Sequence, residues 1–230
     1  METTATENTL LVIWQDSNTR LRHIIGELCK NNGFNFRYMT EKTQELKSIG
    51  FNSLTAFPDF EKNYFSNYLF PAFSSRLPDK RRSDMSVILS HYNMDTYDEF
   101  ELLKKSGGKL PIDSLEFVEP IDLLDKNIKR QFYIAGTKFM YNKNEGVFSS
   151  LEPQMILQYQ LEPENDFDKN AVMILSQSSV IGYIPSYFSK GVTEAVNAGR
   201  SVRISVLEVK PKPVNDENWH ELVKCELEIE

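Results

Sequence analysis

The feature that most constrains the fold is a pair of apolar segments, residues 155–161 and 171–175, that flank a polar stretch. Segments of this length and composition are typical of β-strands. Between them, Pro163, Asn165 and Asp168 are residue types that favour a turn. The pattern therefore predicts a strand, a connecting turn and a second strand.

Further strands and one helix surround this pair. Strands are predicted at residues 131–136, 180–185, 201–209 and 222–229, and a helix at about residues 186–197, closed by Gly199. The five strands between residues 131 and 209, together with this helix, predict a small, curled, mostly antiparallel barrel. The strand at 222–229 is expected to complete it.

Three motifs in this region resemble those of the HIRAN domain. They are aromatic-Ile-Ala-Gly-Thr-Lys-Phe at 133–139, Leu-Glu-Pro-x-Asn-x-Phe-Asp-Lys-Asn-Ala-Val at 161–172, and Ile-Gly-Tyr-Ile-Pro at 181–185. That family has an OB-like barrel and is found in DNA-remodelling helicases and beside bacterial toxin genes. The resemblance implies a HIRAN-like β-barrel domain over residues 131–230.

The resemblance also implies a pocket for the 3′-terminal nucleotide of single-stranded DNA. Phe167 and Asp168 match an aromatic–Asp pair, in which the ring stacks on a base or sugar and the carboxylate accepts from a free 3′-hydroxyl. Stacking of this kind contributes about 1–3 kcal/mol per base. Lys138 and Phe139 match an Arg–aromatic pair that suits a terminal phosphate and its base. Tyr183 is expected to line the same pocket.

Ser186 stands at the start of the predicted helix, where free backbone N–H groups favour an anion. Each of these residues also has a simpler structural interpretation. Asn165 and Asp168 would satisfy a tight turn through side-chain-to-backbone bonds. Lys138 would be a solvated residue at a strand end, and Tyr183 a core residue.

The chain departs from the family pattern at several positions. Phe167 replaces a common Tyr, so stacking is kept and one hydrogen bond is lost. Asp166 stands where Pro is frequent, and Leu161 stands where Arg is frequent. These changes make the mouth of the pocket more acidic and argue against a strong contact with DNA phosphates.

The first 120 residues resemble the N-terminal subdomain of HipA-type kinases. The matching features are a strand containing Trp14, the segment 34–38, the segment 73–78, and the segment 97–108 with its Gly-Gly end. Residues 20–30 fit either a strand or a short helix. Residues 40–67 are expected to form a helix followed by a loop. Further helices are expected near 83–92 and 96–105, and a strand at 115–118. The resemblance implies an α+β module, 1–120, followed by a linker, 121–130.

Within this module, Trp14 is the candidate for blocking the active site of a HipA-like kinase partner, with packing in the sheet as the alternative. Arg76 and Arg81 belong to a basic cluster, residues 76–82, suited to phosphate or to an acidic partner. A solvated loop is the alternative for that cluster. Because a glycine-rich phosphate loop and a His-x-Asp catalytic loop are both missing, kinase activity is not expected.

Charge limits the kind of nucleic-acid contact. The chain carries −7, and residues 121–230 hold 12 basic and 16 acidic residues, or −4. Affinity for long duplexes comes mostly from neutralising phosphates. Any contact with DNA is therefore expected to be local, at a short strand or an end.

The remaining composition points to a non-enzymatic cytoplasmic protein. No apolar run approaches the ~20 residues that cross a bilayer, and the polar start has no signal-peptide pattern. Two isolated cysteines, Cys29 and Cys225, fit a reducing compartment. His23, His91 and His220 lack neighbours at ligand spacing, so neither a metal site nor another cofactor is expected.

Two functions are consistent with these observations. The first is a non-catalytic module that binds DNA ends or single-stranded DNA and acts as a regulator or antitoxin component of a HipA-like kinase system. The second is a protein-interaction antitoxin that binds and inhibits a partner kinase without contacting nucleic acid.

Overall fold

The computed structural model describes residues 8–111, 113–212 and 222–230, apart from the side chains of 41–44. The chain divides into two compact units, Met1–Pro120 and Ile121–Glu230. Every strand pair in the described residues is antiparallel. The predicted α+β class, with mostly antiparallel sheets, is therefore confirmed.

The N-terminal unit contains a five-stranded sheet. Its strands are β1 (Thr9–Gln15), β2 (Arg22–Lys30), β3 (Phe34–Tyr38), β4 (Tyr64–Ser66) and β5 (Leu115–Val118), in the order β4-β3-β2-β1-β5. Residues 22–30 are thus a strand, which decides between the two alternatives left open by the sequence. The helices are α1 (Thr40–Lys47), α2 (Pro71–Ser74), α3 (Met85–His91) and α4 (Glu99–Ser106).

Aromatic rings dominate the core of this unit. The largest fully buried side chains include Phe36, Phe57, Phe73, Phe100 and Phe117. The ring centroids of Phe36 and Phe57 are 4.5 Å apart, and those of Phe73 and Phe117 are 4.9 Å apart. Tilted and edge-on pairs like these contribute about 0.5–1.5 kcal/mol beyond the burial of their area.

Helix α4 shows how local chemistry sets the helix ends. Its N-cap is Asp98, whose carboxylate accepts from the N–H of Glu101 at 2.9 Å. It ends at Gly107, whose φ of 70° is left-handed and favours glycine.

The C-terminal unit contains a six-stranded sheet. Its strands are β6 (Ile128–Tyr133), β7 (Ile156–Leu161), β8 (Val172–Ser176), β9 (Ser179–Tyr183), β10 (Val202–Val209) and β11 (Val223–Ile229), in the order β6-β11-β10-β7-β8-β9. The predicted strands are confirmed within one to three residues at most ends. The described residues of this unit also form two helices, α5 (Thr137–Ser149) and α6 (Ser186–Asn197).

The first and last strands of this sheet order meet, so the sheet curls back on itself. Ala135, two residues past β6, and Tyr183, the last residue of β9, form an isolated antiparallel bridge. Each donates its N–H to the carbonyl oxygen of the other at 2.9 Å. Closing a sheet in this way removes exposed strand edges. The contact also ties the residues before α5 to the end of β9.

Helix α6 supplies one side of the core. Phe188, Val192 and Ala195 are buried, as their spacing of three and four residues on one helical face predicts. The residues expected to form a linker are attached to the same unit. Arg200 donates to the carbonyl oxygens of Leu123 and Lys126 at 3.3 and 2.7 Å. The last three residues of the expected linker, 128–130, lie in β6.

Helix α5 was not predicted from the sequence. A strand was expected at residues 131–136, and no helix or strand was expected for residues 137–149. Its polar and glycine-containing sequence has little helical pattern, and Asn144 inside it is non-helical, with φ −134° and ψ 31°. The Asn144 amide donates to the carbonyl oxygen of Val180 in β9 at 2.9 Å. Packing on β9 therefore holds this helix more than its own propensity does.

In the part of the chain that the structure describes, no helix is long and apolar enough to cross a bilayer.

Candidate nucleic-acid interface

Three of the predicted site segments are joined by a chain of polar contacts. The backbone of Ala135, just before Lys138 and Phe139, pairs with Tyr183. The Tyr183 phenol lies near the carboxylate of Glu162, which contributes to the raised pKa of the phenol. Glu162 in turn accepts from the Asn165 amide at 2.7 Å. The fold thus connects the start of α5, the end of β9 and the loop between β7 and β8.

The loop between β7 and β8, residues 162–171, has a rigid turn at its tip. The Asn165 side-chain oxygen accepts from the N–H groups of Phe167 and Asp168 at 3.0 and 3.1 Å. Asp168 accepts from the N–H of Asn170 at 2.9 Å. At the base of the loop, Glu162 donates its N–H to the carbonyl oxygen of Ala171. These polar side chains therefore stabilise the turn, as their structural interpretation predicted.

The same turn presents Phe167 to solvent. Its side chain is 98% exposed, although the backbone that carries it is fixed by Asn165. A fully exposed phenylalanine forgoes the roughly 1.5–3 kcal/mol that burial of its ring would provide. The turn and the aromatic platform are therefore not alternatives, because the turn is what positions the ring.

Lys138 and Phe139 lie in the first turn of α5, not at a strand end. Gly136 precedes the helix with φ 75°, and this left-handed conformation turns the chain from the β6 direction into the helix. Phe139 is 71% exposed and Lys138 is partly exposed. A cation and an exposed ring thus stand side by side in sequence at one end of α5.

Tyr183 and Ser186 occupy the junction between β9 and α6. Tyr183 is half-buried, and burial, followed by the charge of Glu162 and its hydrogen bond, raises the pKa of the Tyr183 phenol. Ser186 is exposed as the first residue of α6. Thr193 of the same helix donates to the carbonyl oxygen of Asn170 at 3.1 Å, which attaches α6 to the loop.

The charge around these residues is mixed. The loop carries four carboxylates, at Glu162, Glu164, Asp166 and Asp168, and one lysine, Lys169. Such a surface does not favour a long run of phosphates. Stacking on a ring is independent of charge, and a carboxylate accepts from hydroxyl groups. The arrangement therefore suits a base and a hydroxyl better than a polyanion.

No group of three or more metal-ligating side chains comes together in residues 8–111, 113–212 and 222–230. His23 lies in the N-terminal sheet, where it stacks on Trp14, and burial lowers the pKa of its imidazole. His91 is the last residue of α3. His220 lies outside the described residues.

The predicted partner-binding residues have clear structural contacts. Trp14 is half-buried and packs on Phe51, with ring centroids 5.1 Å apart. The Arg76 guanidinium is only 4% exposed and bonds Asp113 and the carbonyl oxygen of Gly108. Trp14 thus packs within the N-terminal unit and Arg76 makes contacts inside it, while their role in binding a partner stays a prediction.

The expected basic cluster at 76–82 is not a single positive surface. Arg81 is 83% exposed and pairs with Asp79 at 2.7 Å, while Arg82 pairs with Asp84 at 2.7 Å. The Arg81 side chain, through its hydrogen bonds, lowers the pKa of the Asp79 carboxyl well below its usual range. Each guanidinium is thus compensated by a neighbouring carboxylate, which weakens the case for a phosphate site here.

Sequence reasoning missed the role of Glu162. This carboxylate links Tyr183 to Asn165, and so connects two of the three segments. Its place beside Pro163 in the 161–172 motif was visible, but its two partners are set by the sheet. The motif therefore contained Glu162, but the sequence did not reveal that this side chain would lie near both Tyr183 and Asn165.

Comparison with known proteins identifies the C-terminal unit. The family model of the HIRAN domain matches residues 129–227, so this part of the chain is a HIRAN domain. The match bears out the resemblance of the motifs at 133–139, 161–172 and 181–185. No curated protein matches the chain. The resemblance of residues 1–120 to HipA-type kinases stays a prediction.

Two solved structures are also similar. One is the HIRAN domain of human HLTF, with 11% identity and a TM-score of 0.32, and the similarity covers 45% of this chain and 74% of that one. The other is a protein from Lactobacillus plantarum, with 16% identity and a TM-score of 0.34, covering 45% of this chain and 96% of that one.

Proposed function

We propose that the HIRAN domain of this chain binds the 3′ end of single-stranded DNA without catalysing a reaction. The observation that carries this proposal is the fully exposed ring of Phe167 on a turn held by Asn165. An exposed aromatic ring on an ordered backbone is a platform on which a base stacks with little loss of entropy. Phe139 provides a second exposed ring at the start of α5.

Asp168 is suited to the terminal hydroxyl. Its carboxylate accepts from the N–H of Asn170, and a carboxylate has about four lone-pair positions, so it can accept further bonds. A 3′-hydroxyl donates to it, whereas a 3′-phosphate is repelled by it. We propose that Lys138, beside Phe139 in the first turn of α5, contacts a phosphate one step along the strand.

The acidic loop favours an end over an internal stretch of strand. Four carboxylates lie between residues 162 and 168, and the C-terminal unit carries −4. Because little affinity comes from released counterions, binding is expected to depend weakly on salt at this site. Stacking and the hydroxyl contact then supply most of the affinity.

The test is fluorescence anisotropy of the full chain with short 5′-labelled oligothymidines. Oligonucleotides with a 3′-hydroxyl are expected to bind about tenfold more tightly than those with a 3′-phosphate, in line with about 1.5 kcal/mol for one charge-assisted hydrogen bond. A blunt duplex of the same sequence is the control. Absence of binding, or equal binding of both ends, would overturn the proposal.

We also propose that the N-terminal unit links this binding to a HipA-like kinase, as a regulator or antitoxin component. Support comes from the resemblance of residues 1–120 to the N-terminal subdomain of such kinases. Co-expression with a neighbouring kinase that lacks this subdomain is expected to give a complex that co-purifies. A complex combined with no binding of any oligonucleotide would favour the purely protein-binding antitoxin instead.

A further inference from the structure

A second surface of the HIRAN domain combines lysines with tyrosine rings. We call it the lysine–tyrosine strip, and it consists of Tyr133, Tyr141, Lys210, Lys212 and Lys224. The ammonium of Lys210 lies 2.6 Å from the Tyr133 hydroxyl and 4.5 Å from the centre of its ring. The ammonium of Lys212 lies 5.0 Å from the centre of the Tyr141 ring. Both distances fit cation–π contacts.

The sheet aligns these residues on its outer face. Lys224 of β11 is the register partner of both Tyr133 in β6 and Glu208 in β10. Residues directly opposite one another share a face of the sheet. Because Val223 and Cys225 on either side are buried, Lys224 and its partners point outward. Lys210 and Lys212 follow directly after the end of β10.

The strip is continuous with Lys138 through α5. Tyr141 is three residues after Lys138, so the two side chains lie on one face of the helix. Tyr133 is three residues before Gly136, the N-cap of α5. The row therefore runs from Lys138 over Tyr141 to Lys210 and Lys212, which follow β10.

Four lysines lie along this row, Lys138, Lys210, Lys212 and Lys224, in a unit whose net charge is −4. The carboxylates beside them include Glu208, opposite Lys224, Glu226, on the same face of β11, and Glu145, which accepts from the Tyr141 hydroxyl at 3.3 Å. Lysines neutralise phosphates and rings stack on bases, which is the combination used by surfaces that follow a single strand.

We infer that a DNA strand whose end is held at Phe167 continues over the lysine–tyrosine strip, so that the domain contacts several nucleotides rather than one. This inference rests on the proposed function. It adds a salt-dependent contact to an end site that depends little on salt. An acidic protein would also bind the lysines, but its carboxylates would not require the tyrosine rings that are paired with them.

The test compares dT3 and dT10, both with a 3′-hydroxyl, by anisotropy on the full chain. The double variant Lys210→Gln/Lys212→Gln keeps side-chain length and removes two charges from the strip. The matched control, Lys129→Gln/Arg203→Gln, removes two exposed charges that both contact Glu228 elsewhere on the same sheet.

For the natural chain, dT10 is expected to bind about tenfold more tightly than dT3. The strip variant should lose most of this difference, and its slope of log affinity against log salt should fall by about 1.4, or 0.7 for each lost phosphate contact on a single strand. Binding of dT3 should not change, and the control variant should behave like the natural chain.

The outcomes separate the two proposals. If dT3 binds but dT10 binds no more tightly, or if the strip variant leaves dT10 unchanged, the strip is overturned and the end site stands. If neither oligonucleotide binds, both proposals fail. If the strip variant loses a kinase partner but no DNA affinity, the strip is a protein surface and the inference is wrong.

Discussion

A methyl group placed on Gly182 would lie 2.4 Å from the carbonyl oxygen of Ala135 and 2.5 Å from the Ile134 side chain. Backbone therefore approaches backbone at the point where the sheet closes, one residue before the Ala135–Tyr183 bridge. This position requires glycine for space and also for its φ of 148°. The same bridge ties the residues preceding α5 to the end of β9.

Gly182→Ala is expected to lower the free energy of unfolding by about 3 kcal/mol, because both the overlap and the φ are unfavourable. Thermal and urea unfolding followed by circular dichroism measure this. The control is Gly146→Ala in α5, where an added methyl meets nothing within 4 Å. It should be neutral or stabilise by up to about 1 kcal/mol. Equal effects of the two changes would contradict the closure argument.

Phe167→Ala is expected to leave the melting temperature unchanged, since the ring is fully exposed, and to weaken binding of a 3′-hydroxyl oligonucleotide about tenfold. Phe65→Ala is the matched control, because Phe65 is also largely exposed but belongs to the N-terminal sheet. Anisotropy titration measures both. Unaltered affinity in the Phe167 variant would show that the platform is not used.

Asn165→Ala removes no group proposed to contact DNA, but it removes the acceptor of two N–H groups and the donor to Glu162. We expect faster hydrogen exchange at the Phe167 and Asp168 amides and a loss of affinity of about fivefold, since the loop must then be ordered on binding. NMR exchange and anisotropy measure these effects. Asn142→Ala, at an exposed position in α5, serves as the control and should change neither.

Arg76→Ala is expected to destabilise the N-terminal unit by about 2–3 kcal/mol, because Asp113 and the carbonyl oxygen of Gly108 lose their buried donor. Arg81→Ala should leave the midpoint of denaturation unchanged within experimental error, as expected for an exposed pair. Chemical denaturation compares them. A kinase-binding defect in the Arg81 variant alone would identify a partner contact.

Tyr38 predicts a loss of stability at high pH. Its hydroxyl donates to the carbonyl oxygen of Phe57 and accepts from the N–H of Leu54, both at 2.8 Å, and burial raises the pKa of Tyr38 to about 12. The folded state therefore holds this proton more tightly than the unfolded state. The contribution is complete below about pH 10 and is lost as the pH rises towards 12.

The variant Tyr38→Phe isolates this effect. It should be less stable at pH 8 by about 1–2 kcal/mol through its lost hydrogen bonds, while its stability should fall less steeply between pH 10 and 12. Urea denaturation across this range measures the difference. Parallel pH profiles for the two proteins would rule out the titration of Tyr38 as the cause.

Much of the fold was readable from local pattern. The apolar segments at 155–161 and 171–175, the turn between them and the helix after Pro185 all lie close to their predicted places. These elements can be predicted because hydrophobic periodicity, turn-forming residues and helix-breaking residues all act over a few positions. Helix α5 does not, since its sequence is polar and it forms largely through contact with β9.

For the site, sequence alone determined which residue types are present: a ring beside a carboxylate at 167–168, and a cation beside a ring at 138–139. Only the tertiary structure decided that Lys138 starts a helix, that Arg76 is buried, and that Tyr183 and Glu162 connect the segments. The reason is physical. Side-chain-to-backbone bonds such as those of Asn165 are local, whereas the bridge between Ala135 and Tyr183 exists only once a six-stranded sheet has curled until its ends meet.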